Sequence, residues 1–128
     1  MRKVIYTEQA PKAVGPYSQG IKTDSMLFTS GQIAIDPHSG NLVEGGIEDQ
    51  TMQAMENLRA VLQAGGSDFH RVVKVTVFLA DINDFARFNA VYAQYFPNDP
   101  PARSAFQVVA LPLGARVEIE MIAQIGQV

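Results

Sequence analysis

The residues best suited to chemistry in this chain lie in a few short motifs. The most pointed is Pro100-Pro101-Ala102-Arg103-Ser104-Ala105-Phe106. Two prolines stiffen the approach to a strand, and an arginine opens it. A guanidinium held in one place offers a planar fork that captures a carboxylate through two charge-assisted hydrogen bonds. The plainer alternative is a surface arginine beside a helix end. Val117-Glu118-Ile119-Glu120 then brings acids in alternation. If the turn Pro112-Leu113-Gly114-Ala115 joins the two segments as a hairpin, Glu120 falls opposite Gln107, on the sheet face shared by Arg103 and Ala105. That register leaves Arg103 four residues further along its strand, a gap for a bulge or a neighbouring copy to close. An acid on a partly apolar face is expected to titrate high, which suits general acid–base work. A solvated strand glutamate is the alternative.

Three more features stand apart from ordinary core patterning. Gly15-Pro16-Tyr17-Ser18-Gln19 places a tyrosine after a rigid dipeptide, where its ring cannot easily join a core. Thr29-Ser30-Gly31-Gln32 ends a strand in small residues, so a ligand could approach the backbone closely. Turn chemistry alone also accounts for both. Asn89 sits on an aromatic helical stripe, four residues after Phe85 and three before Tyr92, and a buried amide needs partners.

Most familiar signatures are missing. There is no HExxH, no GxSxG and no dinucleotide fingerprint, and Gly15–Gly20 runs into a strand, so its amides cannot cradle a phosphate as a P-loop does. His38 lies in a turn and His70 before a strand, neither with an acid or thiol at ligand spacing, so no metal site is expected. The chain has no cysteine, which removes disulfides and thiol nucleophiles together.

The elements that must position these residues follow from periodicity. Lys3–Thr7 reads as a short strand. Gly20–Thr23 and Met26–Ser30 flank a tight turn at Asp24-Ser25. Thr51, Met55, Leu58 and Leu62, widened by Ala54 and Val61, mark a helix that Gly65-Gly66 stops. Val72–Leu79 is a β-branched central strand, with Val73, Val75, Val77 and Leu79 facing one way and Lys74, Thr76 and Phe78 the other. Asp81 or Asn83 caps a second helix bearing Phe85, Phe88, Tyr92, Tyr95 and Phe96, ended by Pro97. Strands over Ser104–Leu111 and Val117–Ile125 complete the order β-β-β-α-β-α-β-β. That order makes an α+β domain of two layers, a mixed sheet with both helices on one face.

The uncovered sheet face is informative. Lys74, Thr76, Phe78, Glu118, Glu120 and Ile122 are too apolar together for bare solvent and too polar for a dry interior, a composition that suits a face covered by another copy of the chain or one lining a wet cleft, and a homo-oligomer with sites at subunit boundaries is expected. The 128 residues suit one domain over 1–128. No apolar run is long enough for a membrane helix, and the N-terminus lacks a secretory pattern, so a cytoplasmic protein is expected. With 10 Lys+Arg against 13 Asp+Glu the net charge is −3, which argues against nucleic acid as a partner.

Taken in order, Gly-Pro-Tyr-Ser-Gln (15–19), Thr-Ser-Gly-Gln-Ile (29–33), Asn89-Ala90-Val91-Tyr92, Pro-Pro-Ala-Arg-Ser (100–104) and Val-Glu-Ile-Glu (117–120) closely resemble the RidA family of reactive-intermediate deaminases, also called the YjgF or L-PSP group. The resemblance runs end to end. It implies a chorismate-mutase-like fold assembled as a homotrimer with inter-subunit clefts. It further implies hydrolysis of 2-imino acids or their enamine tautomers, 2-aminoacrylate typically, to 2-keto acids and ammonia, without metal or organic cofactor. Arg103 would hold the substrate carboxylate, and Glu120 would activate water and help protonate the departing amine. The backbone at Gly31 and Ala105 would bind substrate, and Tyr17, Ser30 and Asn89 would line the cleft. Many relatives carry cysteine where this chain has Ala105, so thiol-dependent behaviour is not implied. Phe88, Phe106 and Leu111 are candidates for the substrate side-chain pocket. A carboxylate-binding regulator without catalysis and a ribonuclease or translation inhibitor are the competing readings.

Overall fold

A computed structural model describes residues 1–126. Its elements are β1 (Lys3–Ile5), β2 (Gly20–Lys22), β3 (Met26–Thr29), α1 (Ile47–Ala64), β4 (Val72–Leu79), α2 (Phe85–Tyr92), β5 (Ala102–Gln107) and β6 (Val117–Gln124). The expected order is present, and the six strands form one mixed sheet in the order β1-β2-β3-β6-β4-β5.

The apolar stripe of α1 drives its packing. Thr51, Ala54, Met55, Leu58, Val61 and Leu62 are all wholly buried, and Glu48 and Asp49 in the first turn favour the positive end of the helix dipole. At the other end a Cβ on Gly65 would collide with the side chains of Leu27 and Ile5, and Gly66 takes a left-handed φ of 88° to turn the chain. In α2, Phe88 and Tyr92 go under while a 3₁₀ turn at Ile82–Asp84, capped by the Asp81 side chain, leads in. Both helices lie on one face, where Val75, Val77, Leu79, Val117, Ile119, Met121 and Ala123 supply the sheet side of the core.

Three expectations are corrected here. Arg103 and Glu120 do not share a hairpin. β5 follows β4 through the α2 crossover and pairs with it in parallel at the sheet edge, whereas β6 lies antiparallel between β3 and β4. The inward residues of β6 are nearly all fully buried, and only an interior position in the sheet covers them so completely. Second, the strand expected over Ser104–Leu111 spans Ala102–Gln107, because β4, the strand it pairs with, ends at Leu79. Third, a bulge between Val72 and Lys74 shifts the pleat, so Val72 is buried and Val73 is exposed.

Candidate functional site

The register assigns each candidate to a face. Val75 lies beside Arg103 on β5 and Met121 on β6, all pointing to the helices, while Thr76 lies beside Ser104 and Glu120 on the uncovered face. Arg103 and Glu120 therefore occupy opposite faces of one sheet. Ala105 shares the helix side with Arg103. The expected common face for the arginine and the acid is thus overturned, since one strand separates them and the pleat is the same across all three.

The arginine half is built by α2 and β5. The guanidinium donates to Asn89 Oδ1 at 2.8 Å. It also sits over three rings of the helix, 4.9 Å from the Tyr92 centroid, 5.4 Å from Phe85 and 5.9 Å from Phe88. Cation–π attraction and a planar tray together fix the head group more firmly than a flexible ammonium could be fixed. Arg103 forms no ion pair with an acid among the described residues. The Tyr92 hydroxyl beneath it is buried without a hydrogen-bond partner, and burial pushes it up to about 12 against the lowering influence of Arg103. The amide of Asn89 thus finds its partner in the arginine. The sequence placed Asn89, Phe85 and Tyr92 on one stripe, but gave no signal that an arginine from a strand would lie across it.

The acid half is a groove of about 820 Å³ lined by Tyr17, Ser30, Gly31, Pro112, Leu113, Glu118 and Glu120 among others. Tyr17 is half-exposed, as its position after Gly15-Pro16 suggested. Its loop is anchored from beneath by Gln19, a buried amide that accepts from Thr7 N at 2.7 Å and donates to the carbonyls of Thr7 at 3.0 Å and Pro11 at 2.9 Å. The Ser30 hydroxyl donates to the Ser18 carbonyl at 2.6 Å, and its amide to the Gln19 carbonyl at 2.9 Å. Gln32 and Ile119 exchange both backbone bonds. The Gly31 amide between them has no partner among the described residues. A Cβ on Gly31 would collide with the carboxyl of Glu118, so the small residue makes room for a side chain of the protein itself.

Glu118 is the acid that its surroundings perturb. Burial raises its pKa first, and the neighbouring Glu120 charge raises it further. Sequence reasoning put Glu118 in the motif but gave it no role. Leu113 was missed as well; it holds a left-handed φ of 58° at the mouth of the groove, 70% exposed. Of the residues expected to shape a side-chain pocket, Phe88 is wholly buried beneath Arg103 and Phe106 stacks edge-on against Phe78 on the open face at 5.4 Å. Neither they nor Leu111 line the groove. Both histidines are exposed, and no cluster of metal-ligating side chains occurs among the described residues. Nor is any described helix long and apolar enough to cross a membrane.

Fold and geometry together define a class, a two-layer α+β domain with an open sheet face, an anchored arginine on one side and a carboxylate-lined groove on the other. Comparison with known proteins makes it specific. The family model described as Endoribonuclease L-PSP matches residues 7–125, and the chain belongs to that family, the one its motifs resemble. It is 53% identical over 126 residues to the mouse protein named 2-iminobutanoate/2-iminopropanoate deaminase, covering 98% of this chain and 93% of the mouse protein. A crystal structure of a putative endoribonuclease from Thermotoga maritima superposes with a TM-score of 0.96 at 48% identity, covering 99% of this chain and all of the other. The E. coli TdcF structure with bound serine matches at a TM-score of 0.92 and 42% identity, over 97% of this chain and 99% of that one.

Proposed function

We propose that this chain hydrolyses 2-imino acids, 2-aminoacrylate and its imine tautomer 2-iminopropanoate or the four-carbon 2-iminobutanoate, to 2-keto acids and ammonium, in a cleft that two copies build together. One observation carries the proposal. Arg103 is clamped by Asn89 and three rings yet has no acid partner among the described residues, while the acids lie on the far face of the same sheet. A cation fixed in this way is a receptor for a carboxylate, and a single copy cannot bring Glu120 to it. The mouse relative's name supplies the reaction, and the TdcF structure with bound serine supplies a ligand of the right class, a small α-amino carboxylate.

In this reading Arg103 of one copy anchors the substrate carboxylate through paired hydrogen bonds. Glu120 of a neighbouring copy orients a water molecule and accepts its proton as the oxygen attacks C2, then helps protonate the nitrogen that leaves. An iminium carbon is already electrophilic, so no nucleophilic side chain is needed, and orientation is the main contribution. The free amide of Gly31 and the edge-strand backbone at Ala105 offer further hydrogen bonds, with Tyr17 and Ser30 closing the groove. The uncovered face, with Phe78, Phe106 and Ile122 beside Thr76 and Lys74, is the surface that a homotrimer would bury. The two groove acids disfavour a polyanionic nucleic acid in the same place.

The test is a coupled assay in which a serine dehydratase generates 2-aminoacrylate and pyruvate release is followed. Faster release with the wild type than with Arg103→Ala or with no added protein is the expected result. Equal rates in all three overturn the deaminase reading for this substrate. Carboxylates that raise the melting temperature without imine turnover would instead mark a regulator. Light scattering near 14 kDa at micromolar concentration would exclude the trimer.

A further inference from the structure

Asp84 is a buried carboxylate that the reaction above does not use. It stands directly before α2, yet its side chain makes no capping bond to the helix amides. Capping falls to Asp81, which accepts from Asn83 N at 2.9 Å. A carboxylate this deeply buried needs cations or donors around it. Two arginines supply them. Arg87 Nη2, one turn along α2, donates to Oδ1 at 2.8 Å. Arg116 Nη1 faces Oδ2 at 3.5 Å, and Oδ2 has no hydrogen-bond partner among the described residues.

The two arginines lead to different parts of the molecule. Arg87 also faces Glu48, in the first turn of α1, at 3.9 Å. Arg116 follows the turn Pro112–Gly114, whose Pro112 and Leu113 line the groove, and stands directly before β6. Its backbone is held on both sides. The amide donates to Oε1 of the buried Gln50 at 2.9 Å, and the carbonyl accepts from Ala80 N at 3.0 Å. The residue after Asp84 is Phe85, the first ring under Arg103, and Phe88 and Asn89 follow one turn on. One side chain therefore joins the start of the aromatic helix to the segment that walls the groove.

Resting on the deaminase reading, we propose that Asp84 is a positioning residue for Arg103: it pins the first turn of α2 to Arg116 and so sets Phe85, Phe88 and Asn89 in place under the guanidinium. At eight residues, α2 is too short to hold its position by its own hydrogen bonds. Phe88 and Tyr92 bury one face of it, and the carboxylate tethers its leading end. Without that charge, Arg87 and Arg116 confront each other and the positive end of the helix with no anion between them. The first turn then draws away and takes the rings and the amide with it. A planar fork binds a carboxylate through two parallel bonds, so a small rotation weakens one of them. Asp84 touches no reacting atom, so the loss falls on carboxylate affinity and leaves the bound substrate reacting at nearly the same rate.

The experiment combines the coupled assay with calorimetric binding of 2-oxobutanoate, a keto acid carrying the same carboxylate. Wild type, Asp84→Asn, Asn89→Ala and the double variant are compared. Asp84→Asn should raise KM and the keto-acid Kd about tenfold, the scale of one weakened charge-assisted hydrogen bond, with kcat within about threefold of wild type. In the Asn89→Ala background the same change should cost clearly less than it does alone, because both act through one guanidinium. A fall in kcat at unchanged KM, or full additivity with Asn89→Ala, would overturn the assignment and leave a residue that only holds the fold. Should Asp84→Asn fail to fold, Arg116→Gln decides, since it removes a half-exposed partner. A Kd raised about threefold there, the upper scale for an exposed ion pair, supports the assignment, and an unchanged Kd overturns it. A wild type that binds the keto acid but consumes no imine removes the deaminase reading, while the Kd comparison still decides on Asp84. A wild type that does neither removes both.

Discussion

The two halves of the candidate site are built on different principles. The arginine half is made of regular structure. A helix presents three rings and an amide at helical spacing, and a paired strand lays a guanidinium across them. The acid half sets the two carboxyls of β6 against loops pinned one bond at a time, by Gln19 under the Tyr17 loop and by Ser30 and Gln32 on either side of Gly31. The first is preorganised by packing, which is dense and hard to deform. The second depends on single hydrogen bonds around an open groove. Anchoring a substrate demands rigidity, whereas moving protons and admitting water demands access, and the sheet keeps the two apart.

The largest effect should come from removing the anchor. Arg103→Ala should reduce kcat/KM by about 10²–10³-fold or more, the scale for deleting one partner of a desolvated charge pair. Arg103→Lys should recover little, because an ammonium lacks the planar fork that the rings and Asn89 hold. Steady-state kinetics in the coupled assay measure both. The division between copies can be broken directly. Chains carrying Arg103→Ala and chains carrying Glu120→Gln, each inactive alone, should regain activity when co-assembled. Random mixing in a cyclic oligomer leaves roughly a quarter of the two-copy clefts intact. No recovery in properly mixed assemblies would place both residues in one copy's site.

Smaller effects should separate the halves further. Gly31→Ala forces the Glu118 carboxyl out of its place and should cost up to about 10²-fold in kcat, as small misplacements do, with little change in melting temperature. Asn89→Ala frees one side of the guanidinium and should raise KM about tenfold, the equivalent of roughly 1.4 kcal/mol for one hydrogen bond to a charged group. The least effect should be thermal. A carboxyl whose folded pKa is raised stabilises the fold at acid pH and loses that contribution as pH rises through the folded value. Glu118→Gln should therefore melt slightly higher than wild type at neutral pH, and the difference should vanish on acidification below the ordinary glutamate range. Calorimetry at several pH values reads it.

Much of this was legible along the chain. Leu58 and its helical neighbours, the alternation of β6 and the turn at Asp24-Ser25 are local patterns, and each formed where periodicity put it. Tyr17 stayed out of the core because Gly15-Pro16 leaves it no path inward. The non-local arrangement was not legible there. The hairpin linking β5 to β6 was the shortest connection, and it lost to the parallel βαβ crossover that puts β5 on one edge of β4 and β6 on the other. Val73 was assigned to the core from strict alternation, and a single bulge moved it out. Phe88, a candidate for the substrate side-chain pocket, forms the floor under Arg103, a contact that no local pattern announces.

By itself the sequence determined the composition of both halves. Five short motifs carry nearly all the chemistry, and residue type with local spacing decided which side chains were exposed, aromatic or acidic. Only the tertiary structure decided that the arginine and the acids face opposite ways, that Asn89 serves the guanidinium, and that Glu118 fills the space at Gly31. The reason is physical. Periodicity fixes the face of each element relative to its own axis, but the pairing of strands distant in sequence fixes which faces coincide. That pairing is chosen by how the whole chain buries its apolar surface.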